Sequence, residues 1–148
     1  LPLIKQEFAA ANINPNTLVF EITETATIEN MVDAQRFITT LKGMGCRFGL
    51  DDFGIGFSSF SYLKQLPVDF LKIDGSFISE LKHNHTDQHL VRAMVAVARG
   101  LGKQTVAEYV GCEETVQLLS EYGVDYAQGH HIGKPCAVSE IDTYSKIL

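Results

Sequence analysis

The sequence alternates short apolar runs with amphipathic segments, and this alternation constrains the fold more than any other feature. Apolar runs rich in β-branched and aromatic residues occur at 18–20, 48–50, 70–73, 105–107 and 124–127. Between them, apolar residues recur with helical spacing over 31–41, 90–101 and 116–119. Glycines end each helical pattern and precede the next apolar run, at Gly43 and Gly45, at Gly100 and Gly102, and at Gly123. The pattern predicts repeated βα units, with a parallel sheet covered by helices.

Two architectures use such repeats, the doubly wound open sheet and the (β/α)8 barrel. The glycine-rich phosphate-binding motifs of the first are absent from the sequence. Polar residues instead mark the end of every apolar run, as they do around the mouth of a barrel: Glu21, Asp51, Lys72, Glu108 and Gln128. An eight-stranded barrel takes about 250 residues. We therefore expect an α/β fold that holds the last five βα units of a barrel, completed by residues outside this sequence.

The amino-acid composition limits the classes of function that this chain can have. The 148 residues include 12 Lys and Arg against 18 Asp and Glu, a formal net charge of -6, and 45% are hydrophobic. These proportions are typical of a soluble globular domain, and the acidic balance argues against polymeric nucleic acid as a partner. No apolar run approaches the roughly 18 residues of a membrane helix, and the N-terminus has no signal-peptide pattern. The three cysteines, which form no Cys-x-x-Cys pair, are expected to be reduced in a cytoplasmic domain: Cys46, Cys112 and Cys136.

The adjacent carboxylates Asp51 and Asp52 are the most specific local indication of a functional site in the sequence. They follow a predicted strand and precede two glycines, Gly54 and Gly56. Like charges at one strand end repel each other unless a cation neutralises them, and hard divalent cations prefer carboxylate oxygens. The alternative is an Asp-Asp turn that caps the next helix.

Five further polar residues belong to the same predicted strand ends. Glu21 and Glu24 end the first run, where one carboxylate can face the mouth; alternatively, Glu24 simply begins the next helix. Lys72 interrupts an apolar strand and needs carboxylates or a phosphate there, unless it is an edge lysine that reaches solvent. Glu108 is a third candidate metal ligand, and Gln128 can donate or accept a hydrogen bond without adding charge.

The histidines are less specific. His83, His85 and His89 are interpreted as part of a polar surface loop around 82–85 rather than a metal tract. His130 and His131 adjoin Gln128 at the predicted mouth, so a ligand contact there remains open. No cysteine pair or His-Glu-x-x-His pattern favours zinc.

Five ordered motifs, together with a closing GKP at 133–135, resemble the EAL domain, the bacterial cyclic di-GMP phosphodiesterase module. They are FEITE at 20–24, DDFGIGFSS at 51–59, LKID at 71–74, VAE at 106–108 and YAQG at 126–129. The resemblance extends from about residue 17 to residue 135. It implies a TIM-like barrel that holds two Mg²⁺ or Mn²⁺ ions and hydrolyses one phosphodiester of cyclic di-GMP, which gives linear pGpG.

The resemblance also implies the role of each site residue. Asp51 bridges the two ions, Glu21 binds the first, and Asp52 and Glu108 hold the second. Lys72 orients or acidifies the attacking water. Gln128 supports the metal site, and Glu24 holds the loop at 52–59.

Several departures from the family pattern are visible. The Glu-Ala-Leu motif and a metal-binding Asn lie on earlier strands, so residues 1–148 are expected to be a partial EAL domain. Gly111 stands where the family usually has a second Glu, and Ile55 where it has Thr. Tyr109 and His130 replace a frequent Gly and the usual Tyr, and both are candidates for guanine contacts. The alternative function is therefore a degenerate EAL domain that acts as a cyclic di-GMP receptor or a protein-interaction module.

The resemblance implies partners as well. EAL modules usually belong to larger signalling proteins, so a fused sensory or GGDEF-type regulatory domain is expected, in a protein that is cytoplasmic or anchored to the membrane. An open barrel exposes unpaired strand edges, and a homodimer is one way to cover them.

Overall fold

The computed structural model describes residues 1–55, 60–137 and 139, and a parallel sheet of five strands organises them. The strands are β1 Val19–Thr23, β2 Arg47–Phe53, β3 Phe70–Ile73, β4 Gln104–Ala107 and β5 Tyr126–Ala127. They lie in the sheet in chain order, and every neighbouring pair is parallel. A doubly wound sheet would reverse its strand order at a switch point, whereas a barrel does not. The predicted fold class, an α/β partial barrel, is confirmed.

Seven α-helices occur in the described part of the chain: α1 Pro2–Ala11, α2 Glu24–Glu29, α3 Met31–Lys42, α4 Phe60–Leu63, α5 Gly75–Ile78, α6 His85–Gly100 and α7 Glu113–Tyr122. The three helical patterns of the sequence correspond to α3, α6 and α7. The helix α1 was not predicted, although Pro2 lies in its first turn, where its lack of an N–H costs nothing. The other three helices are too short for a periodic pattern.

The glycines between helices and strands divide into two groups. Gly45, Gly102 and Gly123 have positive φ angles of 105°, 66° and 78°, as predicted for residues that close a helix. Gly43 has a φ of -61°, and Gly100 is still part of α6, so for these two the prediction is wrong. In each doublet the first glycine continues the last helical turn and the second reverses the chain.

Alternation of side chains along the strands places the core residues and the polar site residues on opposite faces of the sheet. Phe48, Leu50 and Leu71 are fully buried and pack against Ile38 and Leu41 of α3. Because successive side chains of a strand point to opposite faces, the intervening residues of the strands lie on the other face of the sheet. A cavity of about 320 Å³ lies on that side, with Glu21, Gly49, Lys72 and Gln128 among its lining residues.

The amino-terminal ends of the strands are held by a second polar group. The carboxylate of Asp69 contacts the ammonium of Lys42 and accepts a hydrogen bond of 2.8 Å from the backbone N–H of Phe48. Lys103 donates to the carbonyl oxygens of Leu66 and Val68, at 2.8 and 2.9 Å. Burial lowers the pKa of Lys103, and the nearby charge of Lys42 lowers it further. These contacts lie at the opposite end of the sheet from the acidic residues described below.

The cysteines are free and differ in environment. Cys46 is 2% exposed within the core, and burial raises the pKa of its thiol, whereas Cys136 is exposed. Packing therefore explains Cys46 but not Cys136. Among the described residues, no helix has the length and apolarity to cross a lipid bilayer.

The burial of Leu71 in the core leads to a testable prediction. The substitution Leu71→Ala removes a fully buried side chain from the central strand and is expected to lower the free energy of unfolding by about 2 to 5 kcal/mol. The matched control Leu3→Ala changes a side chain that is 67% exposed and should stay within about 0.5 kcal/mol of the wild type. Urea unfolding followed by circular dichroism measures both, and equal losses would contradict the assignment of the core.

Candidate metal centre

Neighbouring strands bring the first two site residues together. Glu21 of β1 pairs in register with Gly49 of β2, and Lys72 of β3 lies on the other side of Gly49. A Cβ added at Gly49 would be 3.6 Å from Cγ of Glu21 and 3.8 Å from Cδ of Lys72. The glycine therefore leaves the space in which these two side chains approach each other.

The backbone of β2 is irregular where its two aspartates lie. The pairing of β2 with β3 shifts register between Leu50 and Phe53, and Asp52 has a φ of 58°. In a regular strand, adjacent side chains point to opposite faces, so Asp51 and Asp52 could not serve one centre. The bulge and the left-handed conformation of Asp52 remove this restriction.

Asp51, Asp52 and Glu108 form a cluster suited to a divalent cation. One carboxylate oxygen of each lies within 4.8 Å of the others, and all three side chains are partly buried. Glu108 directly follows β4, whereas Asp51 and Asp52 belong to the last part of β2. A set made only of carboxylate oxygens suits Mg²⁺ or Mn²⁺ and does not suit soft metals. The residues present therefore fit the ions that the resemblance implies.

Lys72 lies at the centre of the acidic residues. Its Nζ is 2.8 Å from Oε2 of Glu21, 2.8 Å from Oδ1 of Asp51 and 2.8 Å from Oε1 of Glu108. Its side chain is only 7% exposed, on the central strand of the sheet, so it is not an edge lysine that reaches solvent. Burial alone lowers the pKa of Lys72, but the hydrogen bonds to Asp51, Glu108 and Glu21 outweigh it and raise the pKa above its ordinary value. The ammonium therefore stays charged.

Glu24 both begins a helix and holds the chain after β2, so the two interpretations offered by the sequence are compatible. It is the first residue of α2, and it is 2% exposed. Its Oε2 accepts a hydrogen bond of 3.2 Å from the backbone N–H of Gly54, so this carboxylate holds the chain that leaves β2. Its Oε1 has no hydrogen-bond partner among the described residues. Residues 56–59 of the predicted loop lie outside the described residues.

A second cavity adjoins the acidic cluster. It has a volume of about 450 Å³, and its lining includes Glu108, Tyr109, Gly111, Gln128 and His130. Glu108 belongs to both the cluster and this cavity, and Gln128 borders both cavities. The two residues predicted to contact guanine, Tyr109 and His130, thus lie in one cavity beside the candidate metal ligands.

Gly75 places Tyr109, a role that the sequence did not reveal. A Cβ at Gly75 would lie 2.4 Å from Cδ2 of Tyr109, so the phenol ring packs directly against the glycine. Tyr109 itself has a φ of 58° and remains 76% exposed. The only local signal was a glycine soon after a strand, which is too common to identify a contact 34 residues away in the chain.

The adjacent histidines 130 and 131 have different surroundings. His130 lines the second cavity, whereas Nε2 of His131 is 3.1 Å from Oε2 of Glu113. That contact joins the segment after β5 to the first residue of α7. The ligand contact stays a prediction for His130, and Glu113 as the partner of His131 was not predicted.

The other histidines are part of the surface. His83 lies in an exposed turn, as predicted, but His85 and His89 belong to α6. The helix begins earlier than the apolar pattern indicated, because the side chain of Asn84 accepts hydrogen bonds from the N–H groups of Thr86 and Asp87.

Comparison with known proteins agrees with this geometry. The sequence model of the EAL domain matches residues 2–135. The chain belongs to the EAL domain family. Over 124 residues, 84% of its length, this EAL chain is 43% identical to the cyclic di-GMP phosphodiesterase PdeB of Shewanella oneidensis. The match covers 14% of PdeB, so the chain spans a small part of that relative.

Solved structures agree as well. The PaMucR phosphodiesterase in complex with c-di-GMP superposes with a TM-score of 0.89 at 34% identity, over 93% of this chain and 56% of that one. Klebsiella pneumoniae BlrP1, in a complex with manganese and c-di-GMP, superposes with a TM-score of 0.84 at 28% identity. That match covers 91% of this chain and 34% of BlrP1.

The close approach of Gly129 to Val110 in the wall of the second cavity leads to a testable prediction. A Cβ at Gly129 would lie 2.3 Å from both the backbone N and O of Val110, and backbone atoms cannot move aside as a flexible side chain can. We expect Gly129→Ala to lower the free energy of unfolding by about 1 to 3 kcal/mol. Gly133→Ala is the matched control, since a Cβ there has nothing within 4 Å. If urea unfolding gave the two variants the same stability, this close approach would not exist.

Proposed function

We propose that this chain is the metal-binding part of an EAL domain that hydrolyses cyclic di-GMP to linear pGpG with Mg²⁺ or Mn²⁺. The observation that carries the proposal is the convergence of Asp51, Asp52 and Glu108 within 4.8 Å, beside the buried ammonium of Lys72. The name of PdeB and the c-di-GMP complex of PaMucR support the substrate. The manganese in the BlrP1 complex supports the cofactor.

The acidic residues would divide between two ions. Asp51 belongs both to the three-carboxylate cluster and to the set that contacts Lys72, which supports it as the bridging ligand. Glu21 would hold one ion, and Asp52 and Glu108 the other. Bound ions would activate a water and neutralise charge on the diester. In the reaction the water loses a proton as its oxygen attacks phosphorus, the P–O3′ bond breaks, and the 3′ oxygen takes up a proton and leaves as a hydroxyl.

The remaining residues position these groups. Lys72 acts as a hydrogen-bond donor that orients the water, because an ammonium has no lone pair with which to accept a proton. Gln128 supports the centre from the end of β5. Glu24 fixes the chain after Asp52 through the N–H of Gly54. Tyr109 and His130 offer a ring face and a hydrogen-bonding edge to a guanine in the second cavity.

A second function, a cyclic di-GMP receptor without turnover, is favoured by Gly111. A Cβ at this position would meet only the carbonyl oxygen of Tyr109, at 3.9 Å, so the cavity wall has room for a side chain that the residue does not supply. Binding of cyclic di-GMP without formation of pGpG would establish this function.

We further propose that the whole protein contains a fused sensory or GGDEF-type regulatory domain and that the EAL domain forms a homodimer. The small share of PdeB that the chain covers supports the first of these proposals.

The bridging role makes a prediction for Asp51. In the full-length protein, Asp51→Asn removes one negative charge and one ligand oxygen, and we expect kcat to fall by about 100-fold or more. Asp33→Asn is the control, because Asp33 is exposed near the start of α3 and its side chain hydrogen-bonds with Asn30, far from the acidic cluster in the sequence. Chromatography of pGpG measures both rates. Wild-type turnover by Asp51→Asn would remove this residue from the bridging position.

Removal of metal leads to a separate prediction. Excess EDTA should abolish pGpG formation, and added Mg²⁺ or Mn²⁺ should restore it, because bound ions would lower the pKa of the attacking water and offset charge on the diester. Turnover at the full rate in EDTA would contradict the metal-dependent mechanism.

A further inference from the structure

We infer that Lys72 is a built-in counter-cation, which holds the metal ligands together in the metal-free protein and weakens their attraction for divalent cations. The inference rests on the proposed metal site, and it adds a second role for Lys72 besides orienting water. It predicts that loss of this lysine lowers the stability of the metal-free protein and tightens metal binding.

The geometry of Lys72 supports the first half of the inference. An ammonium group has three protons, and here three carboxylates each lie 2.8 Å from Nζ. The three acceptors, Glu21, Asp51 and Glu108, come from β1, from β2 and from the residue after β4. Lys72 itself belongs to β3. One buried side chain therefore connects four neighbouring strands at the site.

The balance of charge supports the second half. Glu21, Asp51, Asp52 and Glu108 are four carboxylates, and Lys72 is the cation that contacts three of them. Removing the ammonium would leave these negative charges facing one another in a partly buried site, where charges interact more strongly than in water. Repulsion in the metal-free protein would increase, and so would the attraction for a divalent cation.

Asp52 differs from the other three carboxylates. It belongs to the cluster that could hold a cation, but it is not among the carboxylates that contact Lys72 in the described structure. Its charge is therefore the least compensated by the lysine. A cation can bind Asp52 first and then compete with Lys72 for Asp51 and Glu108.

A purely structural role for Lys72 makes a different prediction. If the lysine only connected strands, its loss would lower stability and would leave metal affinity unchanged or weaker. A counter-cation changes the two quantities in opposite directions. Measuring both metal affinity and stability therefore distinguishes the structural role from the counter-cation role, and no activity assay is needed.

The experiment compares four proteins: wild type, Lys72→Met, Lys72→Arg and Lys103→Met. Mn²⁺ affinity is measured by electron paramagnetic resonance, and thermal unfolding is recorded in EDTA and in saturating Mn²⁺. Lys103 is the matched control, since it is also partly buried and donates to Leu66 and Val68 at the other end of the sheet. Its loss should lower stability without changing Mn²⁺ affinity by more than about threefold.

We expect Lys72→Met to bind Mn²⁺ at least about tenfold more tightly than the wild type, because a nearby positive charge has been removed. Its Tm in EDTA should fall, and Mn²⁺ should raise its Tm more than that of the wild type. Lys72→Arg keeps the charge, so it should not show the tighter Mn²⁺ binding expected of Lys72→Met.

Other results distinguish the counter-cation role of Lys72 from the metal site itself. Unchanged or weaker Mn²⁺ binding by Lys72→Met, with normal binding by the wild type, overturns the counter-cation role and leaves the metal site intact. Absence of Mn²⁺ binding in all four proteins overturns the metal site and the inference together. If Lys72→Met is unfolded in EDTA, folding on addition of Mn²⁺ supports the inference, and failure to fold with Mn²⁺ overturns it.

Discussion

The structure depends on one buried ammonium group surrounded by carboxylates. Lys72 belongs to the central strand, and its side chain is 7% exposed, which would be costly for an unpaired charge. Contacts of 2.8 Å to Glu21, Asp51 and Glu108 offset that cost and join four neighbouring strands. A parallel sheet in chain order makes this possible, because it delivers residues far apart in sequence to the same edge.

Among the described residues, two of the three non-glycine residues with positive φ angles lie in the same region. Asp52 and Tyr109 have positive φ angles of 58°, and each is adjacent to a candidate metal ligand. A left-handed conformation costs a non-glycine residue about 1 to 2 kcal/mol, and the fully buried core of the sheet and α3 offsets that cost. In return, Asp52 reaches the cluster and Tyr109 reaches the second cavity.

Much of the fold and of the acidic site could be predicted from the sequence, because both depend on periodicity. The runs around Phe48 and Leu71 mark strands, and polar residues such as Asp51 mark the edge where strands end. Two contacts could not be predicted. The packing of Tyr109 on Gly75 and the pairing of His131 with Glu113 depend on loop conformations that no periodic pattern describes. The helices α4 and α5 were also missed, because four residues are too few for a periodic pattern.

The most direct test of the account is a crystal structure of the protein with Mn²⁺, with the ion located by anomalous scattering. The account predicts an anomalous peak coordinated by the carboxylates of Asp51, Asp52 and Glu108 at the carboxyl-terminal edge of the sheet. A peak bound elsewhere, or no peak at saturating Mn²⁺ while Lys72 still contacts all three of its carboxylates, would contradict the proposal that this cluster is a metal centre.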